Sequence, residues 1–140
     1  MTRFDPEEAL RLIQDYRVKW TSFVPTMMMR ISRLPQAVRA QYDVSSLETV
    51  WHWAAPMPSE LKQEWIDWIG PEKIWELYGG TEGIVTTILN GEEWLAHRGS
   101  VGRAHLDKIK IVGEAGEELP RGEVGEIFAL PAGGRGSTYA

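Results

Sequence analysis

Ile74-Trp75-Glu76-Leu77-Tyr78-Gly79-Gly80-Thr81-Glu82-Gly83 is the stretch on which the reading of this chain turns. An apolar strand, Ile74 to Tyr78, runs directly into two glycines, a hydroxyl and a carboxylate. Glycine lets a backbone bend sharply and lets a ligand approach where a Cβ would stand in the way. A Thr-Glu pair just past such a bend offers oxygens to a phosphate or a magnesium ion. Ligands of open α/β sheets also gather at strand ends. The plainer reading is a structural turn capped by Thr81. Against it, a buried strand followed by Gly-Gly-Thr-Glu-Gly needs a reason for so much exposed flexibility, and a held ligand supplies one.

Upstream, the chain alternates helix and strand. Asp5-Pro6-Glu7-Glu8 predicts a helix start with Asp5 as N-cap, and Leu10, Ile13 and Tyr16 or Arg17 follow at helical spacing. Trp20 to Val24 reads as a short strand. Pro25 opens a second helix bearing Met28, Ile31 and Leu34, which Pro35 ends or restarts. Thr49 to Ala54 reads as a buried strand. Ser59 to Ile69 reads as a helix with Leu61, Trp65, Trp68 and Ile69 on one face, stopped by Gly70-Pro71. This β-α-β-α-β order implies parallel strands with right-handed crossovers.

Downstream the pattern changes, somewhere between Gly83 and Gly102. Asn90-Gly91 reads as a turn dipeptide, and Asp107 to Val112 alternates polar and apolar. Gly113 to Gly116 and Leu119 to Gly122 turn the chain, and Val124 to Leu130 makes a final strand. The expected fold is α/β: a partial parallel βαβαβ sheet with helices, followed by antiparallel β-hairpins. Residues 1–85 form the βαβ portion and residues 86–140 the antiparallel portion of the same large domain. The glycine-rich run from Gly133 to Ala140 has nothing after it to pack against and reads as cut rather than finished.

Composition narrows the function classes. With 43% hydrophobic and 25% charged residues the chain is globular, and no apolar run approaches the ~20 residues of a membrane span. No signal-peptide core follows Met1 and there is no cysteine, which suits a cytoplasmic protein. A net charge of -5 with scattered Lys and Arg argues against a nucleic-acid partner. His52, His97 and His105 match no zinc spacing. No G-x-S-x-G elbow, G-x-x-x-x-G-K phosphate loop or G-x-G-x-x-G fingerprint occurs. The Met27-Met28-Met29 run and the tryptophans between Thr49 and Tyr78 read as packing, and Glu92-Glu93 and Glu117-Glu118 as solvated faces.

Two further stretches gain meaning beside the first. In Trp53-Ala54-Ala55-Pro56-Met57-Pro58, small residues at a strand's carboxyl end either let a flat ligand lie against the backbone or simply form a strand-to-helix turn. Gly99-Ser100-Val101-Gly102-Arg103 and Glu118-Leu119-Pro120-Arg121-Gly122-Glu123-Val124-Gly125-Glu126-Ile127, taken alone, are hairpin turns.

Read in order, these segments resemble the adenylate-forming acid–CoA ligase (acyl-CoA synthetase, AMP-binding enzyme) family. Phe23-Val24-Pro25-Thr26-Met27 is similar to its V-P-T-M helix start, Ala54-Ala55-Pro56-Met57 to its G-A-A-P-L loop, and Tyr78-Gly79-Gly80-Thr81-Glu82 to its Y-G-x-T-E signature. The Gly99–Arg103 and Glu118–Ile127 runs resemble its G-S-V-G-R-P and E-L-P-x-G-E-V-G-E-I segments. Asn90 to Leu95 is similar to members acting on fatty or bile acids.

The resemblance implies an enzyme that joins a carboxylic acid to ATP as an acyl-adenylate and passes the acyl group to coenzyme A. Thr81 would bond the α-phosphate and Glu82 would hold Mg2+, making this pair the catalytic residues. Ala54, Ala55, Pro56, Leu77, Tyr78, Gly79 and Thr81 would line the nucleotide, with Tyr78 against the adenine. Trp53, Gly79 and Gly80 would border the acyl group. Trp53 stands where the family often has glycine, which would narrow or reshape the pocket, and Ala104 replaces a proline.

The family's Ser/Thr/Gly-rich phosphate loop, ribose-binding aspartate and C-terminal lysine do not occur in this sequence. The resemblance therefore implies an internal fragment of the large domain, its hairpins part of a β-barrel subdomain. Such a piece would be inactive alone, would work with the remainder of its own polypeptide, and would self-associate through its exposed sheet. The alternative is a non-catalytic nucleotide-binding or interaction module sharing the same loops.

Overall fold

The computed structural model describes residues 3–80, 86–104 and 108–130. Helix α1 spans Pro6–Asp15, and the Asp5 side chain caps it by accepting from the Glu8 amide at 2.9 Å. Strand β1 (Trp20–Phe23) leads to α2 (Pro25–Ser32) and the short α3 (Gln36–Arg39), which restarts after Pro35. Strand β2 is Thr49–His52, and α4 occupies Ser59–Ile69 as the apolar spacing predicts. Gly70, at φ 102, ends α4 in a conformation that favours glycine, and a 3-10 turn, Pro71–Lys73, feeds β3 (Ile74–Gly79). Then come β4 (Thr86–Asn90), α5 (Gly91–Ala96), β5 (Arg103–Ala104), β6 (Lys108–Val112) and β7 (Glu126–Leu130).

Strands β1 to β5 form one sheet in sequential order. β1, β2 and β3 are parallel, while β4 pairs antiparallel with β3 and β5 antiparallel with β4. Strands β6 and β7 form a separate antiparallel pair. The α/β class and the parallel-then-antiparallel order therefore match expectation. The junction is sharper than the sequence suggests, because β4 continues the parallel sheet instead of leaving it.

Helices α2, α4 and α5 contact β1, β3 and β4 respectively. Between them Met28, Ile31, Val50, Trp65 and Ile74 are buried at 1% exposure or less, each contributing about 1.5–3 kcal/mol over an exposed position. The middle methionine is core, with Met27 and Met29 packed against it, as the packing reading requires. Trp65 and Trp94 are buried, whereas Trp20 is exposed at the β1 edge.

Asn90-Gly91 requires a correction. It does not turn a hairpin; Asn90 is the N-cap of α5. Its side chain accepts from the Glu93 amide at 2.9 Å, and Glu93 Oε2 accepts from the Asn90 amide at 3.0 Å. Asn favours turns and N-caps alike, and the Glu three residues on decides between them by closing a capping box. Glu93 is thus a capping residue as well as a solvated one.

Candidate functional site

Three backbone segments meet at the carboxyl ends of β2 and β3. Ala54, Ala55 and Pro56 leave β2, Glu76 to Gly79 close β3, and Val101 approaches from the segment before β5. Together they line a cavity of about 300 Å3. Its walls are mostly small or apolar, with Tyr78 as the aromatic member, 42% exposed. Ala54 is held at φ 71, a left-handed conformation uncommon for a residue with a Cβ; strain of this kind clusters at ligand sites. Thr87, buried on β4, donates its hydroxyl to the Val101 carbonyl and fastens that wall.

Of the positions the sequence singles out for a nucleotide, Ala54, Ala55, Pro56, Leu77, Tyr78 and Gly79 are brought together here. Thr81 and Glu82, the phosphate and metal candidates, lie outside the described residues, as do Gly83, His105 and the run from residue 131 onward. Gly80 is exposed just past β3. Trp53 does not line the cavity; its ring lies 6.4 Å from that of Trp51, which in turn lies 5.5 Å from Trp75. Among the described residues no group of three or more His, Asp or Glu could hold a metal ion. No helix among them is long and apolar enough to cross a membrane. A larger hollow of about 690 Å3, lined by Ile88, Glu93, His97, Arg98 and Arg103 among others, contains none of the residues assigned a site role.

Sequence reasoning missed a polar group beneath the cavity. His52 and Glu76 are register partners on β2 and β3, and Lys62 reaches them from α4. The Lys62 ammonium donates to Glu76 Oε2, and His52 Nε2 lies 3.8 Å from that same oxygen. Burial lowers the pKa of Lys62, opposed by its bond to Glu76. Burial, and then the Lys62 charge, push His52 down to about 3, so the imidazole is neutral at neutral pH. The signal was present in the pattern. His52 and Glu76 stand two residues after Val50 and Ile74, on the same strand faces, and Lys62 sits one residue after Leu61 and four before Ile66, so all three fall at core-facing positions.

A family model described as AMP-binding enzyme matches residues 1–132. The chain belongs to that family. It is 33% identical over 140 residues to the medium/long-chain-fatty-acid–CoA ligase FadD8 of Mycobacterium tuberculosis, covering 96% of this chain and 24% of that protein. It is 36% identical over 132 residues to the 4-coumarate–CoA ligase-like 6 protein of Oryza sativa subsp. japonica, covering 91% of this chain and 22% of that one. Among solved structures, ATP-bound MatB from Rhodopseudomonas palustris superposes with a TM-score of 0.71 at 25% identity, over 94% of this chain and 25% of MatB. This AMP-binding enzyme chain thus spans about a quarter of the length of the curated relatives it matches.

Proposed function

We propose that this chain forms one wall of the adenylate site of an ATP-dependent acid–CoA ligase, which activates a hydrophobic carboxylic acid and transfers it to coenzyme A. The observation that carries the reading is the cavity itself. Five positions matching two separate family motifs, 54–56 and 78–79, converge with Leu77 at the ends of two adjacent parallel strands. A flat base fits against small side chains and exposed backbone, with Tyr78 as its stacking surface. CoA-ligase relatives and an ATP-bound neighbour agree with it.

In the proposed reaction a carboxylate oxygen attacks the α-phosphorus of ATP and pyrophosphate leaves. The thiol of coenzyme A then attacks the acyl carbon and AMP leaves. This chain's part is to hold the AMP moiety: Tyr78 and residues 54–56 would orient the base, Thr81 would donate to the α-phosphate, and Glu82 would hold Mg2+, which when bound would supply positive charge to offset that of the leaving groups. Gly79, Gly80 and Trp53 border the acyl group. The phosphate loop, ribose aspartate and adenylation lysine come from the rest of a longer cytoplasmic polypeptide, in which residues 1–85 and 86–140 are two portions of one large domain.

The test is acid-dependent exchange of labelled pyrophosphate into ATP by that longer polypeptide, over a panel of fatty and aromatic acids. Exchange with at least one acid is expected, abolished by Thr81→Ala and Glu82→Ala, with none from the 140-residue chain alone. No exchange on any acid refutes the ligase reading.

A further inference from the structure

The cavity is underpinned by charged groups that adenylate chemistry does not require. Lys62 and His52 are 1% and 0% exposed, and Glu76, which both meet, lies two residues before Tyr78 and lines the cavity. Among the described residues neither ring nitrogen of His52 has a hydrogen-bond partner, so there Glu76 carries the polar contacts of this cluster and Lys62 is the cation hydrogen-bonded to it. The ammonium also lies 5.3 Å from the centroid of the Trp94 ring, which fixes its position from the α5 side.

Holding α4 against β3 does not need charges. A well-packed apolar pair does so with no desolvation cost, whereas a buried pair constrains direction and distance. The constraint here falls on the strand segment that ends in the cavity. We propose that Lys62 is a positioning residue: acting through Glu76, it fixes the height of Leu77-Tyr78-Gly79 above α4 and so sets the depth of the cavity. The proposal builds on the adenylate reading of that cavity, but its first readout does not.

The experiment compares wild type, Lys62→Met and the double variant Lys62→Met/Glu76→Leu, all in the full 140-residue chain. Residue-resolved amide hydrogen exchange is measured at Leu77, Tyr78 and Gly79 and, as a control, in α1. Calorimetry with AMP follows on the same samples. In the double variant, stability recovers because neither charge is left buried alone. Exchange at Tyr78 and Gly79 is nonetheless expected to stay raised by about tenfold or more, with α1 unchanged and AMP affinity about tenfold weaker. Wild-type exchange and affinity in the double variant would overturn the proposal, leaving the pair a packing feature only. If the wild-type chain does not bind AMP without the rest of the site, the exchange pattern alone decides whether Lys62 positions the strand, and wild-type exchange in the double variant overturns the proposal.

Discussion

Acidification is expected to weaken this fold through His52 before the carboxylates respond. The imidazole titrates near 6.5 when unfolded and about 3 in the fold. Above the unfolded value His52 is neutral in both states and contributes no pH dependence. Between the two values the unfolded chain takes up a proton that the folded chain refuses, so the stability from keeping the ring neutral is lost as pH falls. Each pH unit in that window favours unfolding by about 1.4 kcal/mol, and a descent from about pH 8 to about pH 5 costs about 2 kcal/mol. Glu8 and Asp43, held below their ordinary 4.5 and 3.8 by hydrogen bonds from Arg11 and Ser45, act only at lower pH. The window above about pH 5 is therefore the diagnostic one. The assay is urea unfolding followed by tryptophan fluorescence across that range, for wild type and His52→Leu. Leucine fills a similar volume and cannot titrate, so the variant should lose this slope, and subtraction removes any contribution from the other histidines. An equal slope in both proteins would refute the argument.

Three further outcomes are expected. Asn90→Ala removes the α5 cap and should lower stability by about 1 kcal/mol in the same unfolding assay, with reduced helical circular dichroism. Gly102→Ala places a Cβ 2.5 Å from the Ile88 carbonyl oxygen at φ 96, combining a backbone clash with a left-handed conformation, and should cost about 2 kcal/mol or more. Tyr78→Ala removes a ring that is 42% exposed, so calorimetry should find AMP affinity lowered about tenfold while the urea midpoint hardly moves.

Local patterns were legible where one residue type has one structural use. Pro6 after Asp5, Pro25 after Phe23-Val24 and Gly70-Pro71 after an amphipathic run fixed helix limits, because proline and glycine act on the backbone wherever they stand. Asn90-Gly91 was misread because asparagine serves a turn and a cap equally well, and a hydrogen bond to Glu93 makes the choice. The candidate site was half legible. Motif order named residues 54–56 and 78–79, with Leu77 beside them, and their convergence into one cavity follows from the parallel pairing of β2 with β3.

By itself, the sequence determined the alternation of helices and strands, the glycine-rich strand end and membership of its family, since these depend on residue order and spacing. Only the tertiary structure decided that β4 joins the parallel sheet, that Val101 closes the cavity, and that Lys62, Glu76 and His52 share one buried point. Spacing assigns a residue to a face; it does not tell which face of another element will be opposite, and the energy of a buried charge depends on that neighbour.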